Sequence, residues 1–303
     1  VILEFFSDFL SPRINHLKAM HHPLLLIFVK ITIFSLMLAI GSNLCFEEML
    51  SLWRKPVLLF RALLAVVVLV PVVVIVLLKL FNLQPEVMTG LALLAASPGA
   101  PLTTKRAQMA GCRFSYSASL QLTLAILAVC VTPITLGIFF TLFQHLVEKV
   151  TILEVAQQVI IVQLLPVSIG LLLQKFVPKF AEKIAQPLNF IANGLFLVLV
   201  ILACILGIPL FFQVWGLPMV VITIMVIASL AIGYILGFDD DDTRPILAIA
   251  CIARNVGLAL FIAILNDIQQ KVIPTLIAYV IVGAVLGGFY SIWNKRKLEK
   301  QPT

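Results

Sequence analysis

Two short polar clusters interrupt otherwise apolar stretches of this 303-residue chain. In "LLAASPGAPLTTKRAQMAG", residues 93–111, Ser97-Pro98-Gly99-Ala100-Pro101 runs into Thr103-Thr104 and then Lys105-Arg106. In "AIACIARNVGLALFIA", residues 248–263, Arg254-Asn255-Val256-Gly257 stands in the middle of the run. Proline and glycine end helices and leave backbone amide and carbonyl groups without partners. Hydroxyls, an amide and a guanidinium beside such ends suit binding. Helix N-termini attract anions, and the planar fork of arginine bonds carboxylates or carbonyl oxygens in pairs. Bond-making chemistry would need a nucleophile with its base, a metal cluster or a paired acid, and neither cluster holds a histidine or a carboxylate.

The elements that position these clusters are membrane helices. Apolar residues make up 62% of the chain and charged residues 12%, with a mean hydropathy of +1.14. Soluble domains carry about twice that share of charge. The apolar residues fall into runs of about twenty, the length that crosses a hydrocarbon core as helix. The fold class expected is an all-α polytopic membrane protein forming one transport domain over residues 1–303. Nine spans are expected, roughly at 23–45, 57–80, 86–104, 114–143, 152–175, 185–212, 215–237, 244–265 and 272–293. Residues 1–22 mix Glu4, Asp8, Arg13 and Lys18 into a broken apolar run, which suits an interfacial helix rather than a cleavable signal.

Charge sets the orientation. With the C-terminus in the cytoplasm, the inner loops collect Arg54, Lys55, Lys105, Arg106, Arg113, Lys175, Lys179, Lys183, Arg244, Lys295, Arg296, Lys297 and Lys300. The outer side receives Arg13, Lys18, Lys79, Lys149 and Lys271, so the positive-inside rule puts the N-terminus outside, in a bacterial or organellar inner membrane. The run Asp239, Asp240, Asp241 and Asp242 reads as a solvated inner turn, without the ligand spacing of a calcium loop. The five cysteines are scattered singly and give neither a disulfide framework nor a zinc site.

Interrupted segments at matching positions in two halves point to a transporter site, because non-helical backbone at membrane depth is tolerated only where protein, ions or a cavity satisfy it. Each interrupted segment here is preceded by two spans and followed by one. That suggests an inverted repeat, with 23–143 as the first unit, its leading helix lost or shortened to residues 1–14, and 152–293 as the second.

These residues resemble the bile acid:sodium symporter family. The likeness runs through "MLAIGSNLCFEEM", "LALLAASPGAPLTTKRAQMAG", "SASLQLTLAILAVCVTP" and "LGFDDDDTRPILAIACIARNVGLAL". The resemblance implies a panel domain beside a core domain, with nine or ten spans. In the core, two broken helices cross near the bilayer centre, and an organic anion moves by alternating access. It also exposes departures. Similar proteins carry Ser-Asn after the first break, where this chain has Thr103-Thr104. They carry Ser and Thr one turn apart in the next helix, where Ser117 and Gln121 stand. At the second break they carry Glu, then Gln-Asn, where this chain has Ala250, Arg254 and Asn255. In that family those side chains help to hold two sodium ions.

The chain's fourteen carboxylates all fall in loops or near span ends, and its four histidines lie outside the spans. A carboxylate-based sodium site or a proton relay therefore has no parts here, though carbonyls and hydroxyls could still hold one sodium. No metal site and no cofactor is expected. Arg254, by contrast, sits about ten residues into its span, close to the midplane at ~1.5 Å per residue. Leaving a guanidinium unpaired there costs at least ~2.5–3.5 kcal/mol. The expectation is a secondary transporter for a small organic anion, not sodium-coupled and not an enzyme, in which Arg254 stands in for the coupling cation. The alternatives are a structural arginine bonded only to carbonyls, a sodium-coupled symporter with altered ligands, or an anion-binding membrane sensor. Candidate substrate-binding residues are Thr103, Thr104, Ser117, Gln121, Arg254 and Asn255. Lys105 and Arg106 are placed at the inner mouth, and Asn189 and Asn193 are second-rank candidates. Pro98, Gly99, Pro101 and Gly257 shape the backbone. Gln157, Gln158 and Gln163 rank below the threonines, as residues that could bond a neighbouring helix. Expected partners are the anion and the lipid bilayer, with no nucleic acid.

Overall fold

Proline fixes where several helices begin, because its locked φ suits the first turn and its missing N–H is not needed there. The computed structural model describes residues 22–43, 52–100, 103, 114–143, 146, 152–237, 243–266 and 268–299. Helix α1 spans His22–Asn43, α2 Pro56–Leu80 and α3 Pro85–Ala96. Helix α4 spans Phe114–Leu142, α5 residues 152–176, and α6 Pro178–Phe211. After a short turn at Gly216, α7 spans Leu217–Leu236. Thr243–Ile252 is α8, Val256–Leu265 is α9, and Gln269–Glu299 is α10. No strand occurs among the described residues.

Among those residues, five helical stretches are long and apolar enough to cross a membrane: Pro56–Leu80, Tyr116–Leu142, Leu217–Leu236, Thr243–Leu265 and Gln269–Lys297. Large side chains such as Phe60, Phe190 and Phe289 are mostly exposed, as befits a surface that meets hydrocarbon rather than water. Helix and apolar run do not always coincide. Helix α6 starts seven residues before the expected span, and α10 continues six residues past it. Hydropathy marks the bilayer crossing, whereas the helix runs on through Lys179, Glu182 and Lys183 at one end and Lys295, Arg296 and Lys297 at the other. The N-terminal segment expected to lie at the interface falls outside the described residues, apart from His22, as do Asp239, Asp240, Asp241 and Asp242.

Two helices contain a wider π-helical turn: Leu64–Leu69 in α2 and Ile160–Leu164 in α5. Each is followed by a proline, Pro71 or Pro166. A proline inside a helix removes one ladder donor and crowds the carbonyl four residues back, and widening the turn relieves both.

The principal apolar core joins α2, α3, α4, the first half of α5 through Val155 and Val159, α7, α8, α9 and α10. Helix α1 packs instead on the second half of α5 and on α6. There Leu36 and Ala39 meet Ala192, Leu188 and Phe196. A small cluster of Ile33, Met37, Ala118, Leu122, Val167, Phe261 and Ile264 joins this group to α4 and α9.

Candidate functional site

The first interruption is built into the local sequence. Helix α3 ends at Ala96; the residue before a proline is steered away from helical ψ, and Ser97 sits at φ −108°, ψ 79°. Gly99 then takes φ 75°, a left-handed conformation that costs other residues free energy. A Cβ there would stand 2.9 Å from the Leu124 Cβ on α4, so the site also lacks the space. Thr103 is buried, and its hydroxyl donates to the Ala100 carbonyl at 2.8 Å, closing the turn.

The second interruption has neither proline nor a positive φ. Helix α8 stops at Ile252 and α9 starts at Val256. Between them Arg254 N–H donates to Ile252 O and Val256 N–H to Arg254 O, both at 2.9 Å, two tight three-residue turns in succession. Asn255 caps α9, its Oδ1 accepting from Leu258 N–H at 3.0 Å.

The two unwound segments lie side by side and satisfy each other. Asn255 N–H donates to Ser97 O at 2.8 Å, and Ala100 N–H to Ala253 O at 3.1 Å. Backbone groups that would otherwise be stranded in a dry interior are thus paired across the crossing. The hydroxyl of Tyr279 on α10 donates to Ile252 O at 2.8 Å and pins the end of α8.

Arg254 is 3% exposed. Its Nη2 donates to the Val66 carbonyl in the π-helical turn of α2 at 2.9 Å. Its Nε and Nη1 have no hydrogen-bond partner among the described residues. Cys251 and Tyr279 lie within electrostatic range, and both are neutral side chains in their ordinary states. The guanidinium is therefore anchored at one nitrogen, and its other two are buried without a bond.

Asn255 donates from Nδ2 to Gln163 Oε1 at 3.0 Å, and Gln163 donates from Nε2 to Ala125 O at 3.0 Å. Gln163, fully buried within the π-helical turn of α5, thus links that helix to the second interruption and to α4. Sequence reasoning ranked it low, beside Gln157 and Gln158; what sets it apart is an amide three residues before a proline. Val66 gave no signal, because it contributes only a carbonyl.

The other candidates are placed as follows. Pro98, Gly99, Thr103, Arg254 and Asn255 meet at the crossing. Gly257 opens α9 beside Ile33 of α1, whose Cδ1 would stand 3.1 Å from an added Cβ. Ser117 and Gln121 are buried on α4, and each is engaged within the protein. Two turns of the same helix hold the chain before α2, with Ser119 accepting from Leu52 N–H at 3.3 Å and Thr123 from Trp53 Nε1 at 3.1 Å. Asn189 and Asn193 each donate back to their own helix, to Ala185 O and Asn189 O, on the element that packs against α1. Pro101, Thr104, Lys105 and Arg106 lie outside the described residues. Among the described residues no group of three or more His, Cys, Asp or Glu side chains is placed to hold a metal ion.

The sequence profile of the sodium bile acid symporter family matches residues 30–214. The match takes in the first interruption, α4 and Gln163, and stops before Arg254 and Asn255. No curated protein sequence matches the chain closely enough to count as a relative.

Proposed function

This chain belongs to the sodium bile acid symporter family, and from that premise we propose that it carries a small organic anion by alternating access without sodium. Members of the family are transporters rather than enzymes, and the apolar helices make this an integral membrane protein. The observation that carries the reading is Arg254. A buried guanidinium with one carbonyl partner keeps most of its desolvation cost, of the order of a few kcal/mol. A bound carboxylate or similar anion offsets that cost through charge-assisted hydrogen bonds. A sodium ion beside the same guanidinium would be repelled.

In this reading the anion binds near Arg254 and Asn255, with Thr103, Thr104, Ser117 and Gln121 supplying neutral polar contacts. Lys105 and Arg106 attract it at the inner mouth, while Asn189 and Asn193 rank behind these. Nine spans form an inverted repeat. The helices α1, α5 and α6 act as one body, a grouping supported by the packing of α1 on the second half of α5 and on α6, while the first half of α5 reaches into the principal core. The C-terminus is cytoplasmic.

The test is counterflow in proteoliposomes with radiolabelled cholate and pyruvate, a large and a small carboxylate, with and without sodium. Exchange that ignores sodium is expected for at least one probe, and Arg254→Gln is expected to lower it about 10- to 100-fold, the loss of a charged hydrogen bond worth ~1.5–3 kcal/mol. Uptake that requires sodium would falsify the surrogate role.

A further inference from the structure

We propose that Pro71 is a positioning residue for Arg254: it keeps the Val66 carbonyl unclaimed by the helix, so that the carbonyl anchors the guanidinium. The ladder of α2 makes the case. In the π-helical turn Leu64–Leu69, the Val70 N–H donates five residues back to Ala65 O. The next donor in that pattern is residue 71, which is proline and has no N–H. Val66 O therefore loses both of its possible helical donors, Val70 to Ala65 and residue 71 to the pyrrolidine ring. Val66 is fully buried, away from any water that would replace them. A buried carbonyl without a partner costs free energy, and Arg254 Nη2 fills the place from 188 residues away at 2.9 Å.

The two needs are complementary. A guanidinium at this depth requires an acceptor, and no carboxylate is placed to serve among the described residues that contact it. A full carboxylate would also neutralise the charge and leave little attraction for an anion. A carbonyl dipole orients Nη2 and leaves the net charge in place, with Nε and Nη1 unbonded. The proline thus acts on the site through one peptide oxygen, without touching whatever binds there.

Replacing Pro71 with alanine supplies the missing N–H. Val66 O is then taken in either helical register: by residue 71 if the wide turn persists, by Val70 if the helix tightens. Arg254 must then share that acceptor with a helical N–H in both, and its anchor weakens. Four proteins in lipid nanodiscs test this: parent, Pro71→Ala, Arg254→Met and the double variant, each followed by thermal melting. Pro71→Ala is expected to lower Tm by about 2 °C or more in the parent, where it weakens the anchor of the guanidinium. In the Arg254→Met background the same change is expected to raise Tm, because it only repairs a helix. A purely structural proline gives the same sign in both backgrounds, and that result overturns the proposal. Pro71→Val restores the same N–H with a bulkier side chain and is to show the same reversal if Pro71→Ala cannot be purified. In protein labelled with 15N-arginine, the Nε–H signal that disappears in Arg254→Gln is expected to move in Pro71→Ala; an unmoved signal also rejects the idea. The bearing on transport rests on the reading of Arg254 given above, whereas the melting cycle does not. If Arg254→Gln leaves anion exchange intact while the reversal holds, the transport role falls and the anchoring stands.

Discussion

The two interruptions that meet at the crossing are made by different means. The first is fixed by its own covalent structure: Pro98 ends α3, and Gly99 turns the chain at φ 75° against Leu124. The second carries no proline and no left-handed residue. It is held open from outside by Ser97 O, Tyr279, Gln163 and Val66 O, on four other parts of the chain. A break written into the backbone is rigid whatever surrounds it, whereas one held by borrowed contacts can respond when its neighbours move. The charge sits on the second.

The sharpest way to break that contrast is Gly99→Val. It combines a strained φ with a clash against Leu124, each worth ~1–3 kcal/mol, so a loss of about 4 kcal/mol is expected, read as little folded protein after detergent extraction. A normal melting curve would show that the first interruption is not self-determined. Asn255→Ala comes next. It removes the α9 cap, ~1 kcal/mol, and strands the Gln163 carbonyl oxygen, ~1–2 kcal/mol, for about 2–3 kcal/mol in thermal melts. Asn255→Ser keeps a capping oxygen and loses the donor to Gln163 without burying a charge, so it is expected to fall between parent and alanine. Tyr279→Phe removes one hydrogen bond to a carbonyl that Arg254 N–H also serves, and about 1 kcal/mol is expected. Smallest is Asn189→Ala, which breaks only a bond within α6; its melting temperature and its anion exchange are expected to match the parent, with under ~0.5 kcal/mol lost. A large transport defect there would extend the site well beyond the crossing.

Much of the helical layout was legible because apolar length and proline position are local signals. Ser97 to Gly99 announce a break by residue type alone, and Arg254 stands out because a guanidinium is rare in such a run. What the guanidinium bonds was not legible. Its partner is a peptide carbonyl 188 residues earlier, freed by a proline that reads like any other within a valine-rich helix. Gln163 was ranked low for a related reason: an amide on a helix tells which side is polar, not which neighbour arrives there. Thr103 adds a local bond that its residue type did not announce, its hydroxyl closing its own turn on Ala100. Patterns of period and composition describe a residue's own element, and the second interruption is assembled from other people's elements.

The seam between α1 and α5 has a mechanical consequence. Gly41 and Gly170 bring these helices so close that a methyl group on Gly170 would stand 2.6 Å from the Leu38 oxygen. Sliding one against the other would drive side chains through that contact, so the seam resists shear. Relative movement of the helices is left to other seams, among them the one where α5 and α9 touch through Gln163 and Asn255.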